Sequence, residues 1–137
     1  MSKGPVELPD GSWQLPLKGL PVNQIRFGYQ VDILIGQAVI QIGAPFRLSG
    51  DHDDTIEPEN AATLAPAIVM LRRVVSSATA AAAGSLVVKF VGGLDLAVPA
   101  GMKYEAWEAV GPHTPGETGV EQWRVVSMPG GELAIWT

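Results

Sequence analysis

A chain of 137 residues with a 47% hydrophobic fraction fits one domain with a real core and gives no reason to expect a second. It has no cysteine, which excludes disulfides, thiolate metal sites and thiol catalysis, and its 14 acidic against 9 basic residues give a net charge of -5. The basic residues are scattered singly apart from Arg72 and Arg73, which argues against nucleic-acid binding, and no apolar run is long enough to span a membrane.

Residues 1–12 contain Gly4, Pro5, Pro9 and Gly11 with little to bury and lack the regions of a secretory signal. They read as a flexible leader pinned by Trp13 and Leu15 to a single β-rich domain over 13–137, with the cytoplasm as the default location. A turn at 19–21 leads into the most regular stretch, residues 25–48. Ile25, Phe27, Tyr29, Val31, Ile33 and Ile35 fall on every second position, which predicts one long half-buried strand with Gly28 as its bend point. After Gly36 and Gln37 the alternation resumes as Ala38, Ile40, Ile42, Ala44, Phe46 and Leu48. A two-residue loop sets Ile35 opposite Ala38, Ile33 opposite Ile40 and Val31 opposite Ile42, and Gly36 suits the first position of a type II′ turn.

The acidic segment 51–59 carries Asp51, Asp53, Asp54, Glu57 and Glu59. It has neither the glycine nor the terminal glutamate of a calcium-binding loop, so it reads as a solvated cap on the helix that follows, and no metal is expected there. Leu64, Ile68 and Leu71 are spaced for one short helix over 64–72, with Thr63 as N-cap, Pro66 in the first turn, and Arg72 and Arg73 at the end where cations are favoured. Residues 74–83 end in an alanine run that propensity alone would make helical. Val74, Val75 and Thr79, with the turn signal at Gly84, favour a strand instead. In the hairpin over 85–99, a three-residue loop of Val91, Gly92 and Gly93 sets Phe90 opposite Leu94, Val88 opposite Leu96 and Leu86 opposite Val98, with Lys89 facing Asp95. That apolar matching decides the register. Both hairpins are preceded by a Val (Val22, Val75) and followed by a Pro (Pro45, Pro99), the layout of a weak internal duplication with the helix between the halves.

The C-terminal third reads as strands over 104–110, 121–128 and 133–136, with a mobile loop over 111–119 and a turn at Pro129, Gly130 and Gly131. His52 and His113 are the only histidines, both sit in loops, and no catalytic triad or phosphate loop can be assembled. The candidate binding residues are Tyr104, Glu105, Trp107, Glu108, Trp123 and Trp136, amphipathic rings beside carboxylates of the kind a cleft or partner surface uses. The plainer reading has the same rings closing a β core, each indole N–H bonded to a carbonyl, and it is the favoured one. Glu105 and Glu108 fall on opposite faces of a regular strand and make a poor acid/base pair.

At 104–108 (YEAWE) and 129–136 (PGGELAIW) the chain resembles a family of short, uncharacterised bacterial proteins, mainly actinobacterial, and the hairpins over 27–46 and 86–98 are similar to that family as well. The resemblance implies a domain of unknown function and supplies no catalytic residue. Some members are similar in size and layout to bacterial immunity proteins.

The expected fold is α+β and mostly antiparallel, with seven or eight strands in hairpins and one short helix. The expected function is that of a non-enzymatic intracellular interaction protein, immunity-like, needing no cofactor and binding neither nucleic acid nor membrane. The alternative is a small-molecule-binding domain or minor enzyme with a cleft between sheet and helix lined by the C-terminal aromatics. The strand over 74–83 has no charge and no proline and is the least protected edge. Either neighbouring strands close over it or a second copy does in a two-fold homodimer, and the reading favours the homodimer.

Overall fold

In the computed structural model, which describes residues 4–112 and 122–137, the chain forms two antiparallel sheets packed around one core. A short N-terminal hairpin pairs β1 (Val6–Glu7) with β2 (Trp13–Gln14). The first meander follows as β3 (Val22–Phe27), β4 (Val31–Ile35) and β5 (Ala38–Ile42), and the chain then crosses to the other sheet as β6 (Phe46–Ser49) and β7 (Asp53–Ile56). Two 3-10 segments, Ala61–Thr63 and Ala65–Met70, lead to the second meander, β8 (Val75–Ala80), β9 (Leu86–Phe90) and β10 (Leu94–Val98). The chain crosses back as β11 (Trp107–Pro112), β12 (Gln122–Ser127) and β13 (Leu133–Trp136).

The seven-stranded sheet has the order β1-β2-β8-β9-β10-β6-β7, and the six-stranded sheet β13-β12-β11-β5-β4-β3. Each meander is thus extended by the strand that leaves the other one: β11 pairs with β5, and β6 with β10. The two meanders have strands of 6, 5 and 5 residues, each with a register shift just after its first Val, between Val22 and Gln24 and between Val75 and Ser77. Pro21 and Val74, the residues before those valines, bridge each other. The layout suspected from the sequence is therefore a repeated path, one copy per sheet.

Both expected hairpin registers are present. Val31 pairs with Ile42, Ile33 with Ile40 and Ile35 with Ala38, and Gly36 takes a φ of 57° at the first loop position. In the second hairpin Phe90 pairs with Leu94, Val88 with Leu96, Leu86 with Val98 and Lys89 with Asp95. Inward-facing residues of both, Val31, Ile33, Ile40 and Ile42 from one sheet and Leu86, Val88, Phe90 and Leu96 from the other, belong to one buried cluster.

Five expectations are corrected. The long strand over 25–35 is two strands: residues 28–30 are a turn, Phe27 pairs with Val31, and Tyr29 is 86% exposed. A three-residue loop returns the chain with its even spacing intact, so Phe27 and Val31 keep the same parity and the alternation runs through the turn unbroken. The continuation through Ala44 to Leu48 likewise hides a change of sheet at residues 43–45, where the Gly43 N–H donates to the Ala106 carbonyl at 3.0 Å. The helix over 64–72 is 3-10 rather than α, because Pro66 removes a donor in so short a segment and β-branched Ile68 and Val69 resist helical packing. Asn60, not Thr63, caps the first 3-10 segment by accepting from Ala62 N–H at 3.2 Å, while Thr63 Oγ1 accepts from Glu57 N–H at 2.8 Å. The acidic stretch is not a helix cap: Asp53 and Asp54 lie on edge strand β7, where charge deters pairing with another chain.

The strand expected over 74–83 is extended, as β8, but it is not an edge. β2 pairs with it through Trp13 and Gln14, Leu15 N–H donates to Ala78 O at 2.9 Å, and Gly19 N–H donates to Val75 O at 2.8 Å. The argument for a second copy on that edge therefore lapses. The loop expected over 111–119 lies outside the described residues except for Gly111 and Pro112, which belong to β11; His113 and Glu121 also lie outside them.

Candidate functional site

The six candidate residues do not converge. The strand expected from Tyr104 begins at Trp107, so Tyr104 (79% exposed) and Glu105 lie in the exposed segment before it and Glu105 shares no strand with Glu108. Trp107 and Trp123 are each 1% exposed, inside the core. Their indole N–H groups donate to the carbonyls of Gly84 at 2.9 Å and Pro112 at 3.0 Å, the arrangement of rings that close a β core. Gly111 has no side chain because the Trp123 ring lies where one would go: a Cβ there would be 2.5 Å from Cζ2.

Glu108 and Trp136 instead reach the solvent face of the six-stranded sheet, where residues alternate outward with the core residues inward. Cross-strand pairing sets two rows on this face. One runs Arg26, Asp32, Gln41, Glu108, Val126, Ala134, in which Val126 is buried, and the other Gln24, Leu34, Val39, Val110, Arg124, Trp136. Arg124, which the sequence reading did not single out, joins the two remaining candidates. Its guanidinium forms an ion pair with the Glu108 carboxylate, Nε donating at 2.6 Å, and lies 5.2 Å from the centre of the Trp136 ring. A cation over an indole face is held by the ring quadrupole, and the carboxylate fixes the other side. Beside this corner Leu34, Val39 and Val110 are half-buried, giving the face an apolar middle.

At the other end of the face, Asp32 has a buried Oδ1 with no hydrogen-bond partner. Burial raises its carboxyl above the ordinary value, and the Arg26 charge on the adjacent strand opposes that shift. Arg124 was hard to find in the sequence because the pairing of β11 with β12 spans the segment 113–121, whose length hides the register. The only signal was the alternation of Arg124 with Trp123 and Val125.

Among the described residues no helix is long and apolar enough to cross a membrane, and no three His, Asp or Glu side chains group as metal ligands. No curated protein and no solved structure matches the chain. Residues 13–137 match the family described as "Family of unknown function (DUF6188)", and the chain belongs to that family.

Proposed function

We propose that this is a non-enzymatic intracellular bacterial protein that binds a protein partner through the solvent face of its six-stranded sheet. The observation that carries the reading is Arg124 held between Glu108 and Trp136 beside the half-buried row of Leu34, Val39 and Val110. Arg and Trp are the residues most often found to dominate interface energetics, and a guanidinium already fixed on both sides loses little freedom on binding. An immunity-like role is the specific form of this reading that the family resemblance suggests. The alternative of an aromatic cleft has less support, since two of its rings, Trp107 and Trp123, are turned to the core.

The test uses the full chain as bait in lysate of its source organism, beside Trp136→Ala, Arg124→Glu and a control, Tyr104→Ala. The expected result is a stoichiometric partner held by the wild type and the control and lost by both face variants, with all four proteins folded at the assay temperature. Retention of the partner by Trp136→Ala and Arg124→Glu would overturn the assignment of the surface.

A further inference from the structure

Away from that face, three connections meet at one end of the seven-stranded sheet and line a half-open cavity of about 340 Å³. They are the β6–β7 turn with Asp51 and His52, the β9–β10 turn with Gly92 and Gly93, and the end of the second 3-10 segment with Val69 and Arg73. The volume is at the small end of the range for ligand sites, the size for a metabolite of amino-acid dimensions.

The chain is shaped to bring Arg73 here. Arg72 is the one non-glycine among the described residues with a left-handed φ, 70°, and the reversal lets Arg72 N–H donate to Val22 O at 2.9 Å and Arg73 N–H to Met70 O at 3.0 Å. Arg73, which lines the cavity, donates from Nε to Val69 O at 3.3 Å, and neither Nη group has a hydrogen-bond partner among the described residues. Gly92 makes room for them: a Cβ there would lie 2.9 Å from Nη1. Arg73 makes no ion pair with any described residue, although Asp51 and Asp54 line the same cavity. Leu48 and Leu94 supply a buried apolar floor.

An anion alone would meet two carboxylates, and a cation alone would meet the guanidinium. We infer that the cavity binds a small zwitterion, a free amino acid or a close analogue, with its carboxylate on the Arg73 Nη groups, its ammonium toward Asp51 and Asp54, and its apolar part on Leu48 and Val69. With no ion pair between them, both signs are left open to such a ligand. Binding at this site is independent of the sheet face described above.

The test is a titration of the ¹⁵N-labelled full chain with each free proteinogenic L-amino acid, read at the backbone amides of Gly50, Gly92 and Gly93. The best binder is then compared with its own carboxamide and its own N-acetyl derivative. At least one amino acid is expected to give saturable shifts at these three glycines, and each derivative to bind at least about tenfold more weakly, the loss of one charge-assisted hydrogen bond. Arg73→Met should abolish the preference over the carboxamide, and Asp54→Asn should reduce the preference over the N-acetyl form. The inference is overturned if no amino acid saturates the shifts, or if either derivative binds as well as its parent. The paired ligands decide on the wild-type protein alone should a variant fail to fold.

Discussion

Replacing Ser127 by Ala and Trp107 by Phe, singly and together, tests how the two sheets are tied at the Gly84 turn. The buried Gly84 carbonyl accepts from Ser127 Oγ at 2.7 Å and from Trp107 Nε1 at 2.9 Å, and Ser127 itself is fully buried. Ser127→Ala removes a donor together with its own need for a partner, and the carbonyl keeps the indole, so the cost should be about 1 kcal/mol. Trp107→Phe loses a similar hydrogen bond and leaves a void of roughly 40 Å³, which at about 24 cal/mol per Å³ adds about 1 kcal/mol, for a total near 2. The singles sum to about 3 kcal/mol. Only the double variant leaves the carbonyl buried with no donor, which adds a further penalty of about 1 to 3 kcal/mol and brings the expected total to about 4 to 6. Urea unfolding of the four proteins, with a shared slope, measures the coupling. A double variant whose loss equals the sum of the singles within about 0.5 kcal/mol would refute the claim that this carbonyl depends on the pair.

Ile33→Ala, at a fully buried position on β4 of the six-stranded sheet, should cost about 2 to 5 kcal/mol by the same measurement, and an unchanged midpoint would show that the core is misassigned. Asp32→Asn should change the pH dependence in a definite direction. Because burial raises the folded carboxyl above its ordinary 3.8, the native state holds its proton to higher pH than the unfolded chain does, so stability falls as pH rises from that value through the folded one. The Asn variant should then be more stable than wild type at about pH 7, with the advantage gone below about pH 3; an advantage that grows on acidification would reverse the sign. Arg124→Ala should cost no more than about 1 kcal/mol, since the guanidinium is half exposed, and a larger loss would make the Glu108 and Trp136 contacts structural rather than a surface feature.

How far the sequence could be read depends on what kind of regularity each feature leaves. The β4–β5 and β9–β10 registers were legible because a one-residue slip would turn Ile33 or Val88 to water, and only one loop length matches every apolar pair. The turn at residues 28–30 and the sheet change at 43–45 were not legible, because both preserve the two-residue period while changing what the side chains face. Tyr29 continues the pattern on paper and lies in solvent. The cover on β8 was missed for a different reason: residues 13–21 pair with it through backbone groups, Leu15 N–H and Gly19 N–H among them, and backbone pairing leaves no side-chain signature. At the candidate site the aromatic count was correct but could not distinguish Trp107 and Trp123, which fill the core, from Trp136, which does not. That distinction is set by cross-strand register through β11 to β13.

The repeated path of the two meanders bears on where function resides. Both copies need the same things from their residues: an inward apolar file, a bulge after the first Val, a tight loop, and a strand that leaves to pair with the other sheet. Residues that serve this common plan are explained by folding alone. Features found in one copy and not the other are not required by it. The strand leaving the first meander turns back at Gly50 to His52 and forms one wall of the cavity; the strand leaving the second pairs with β12 and carries Glu108 to Arg124 and Trp136. The two copies thus diverge after their shared three strands, and both candidate surfaces are built by that divergence. A core assembled twice from the same plan holds each of them rigid, while the connections that differ remain free to vary in sequence without disturbing it.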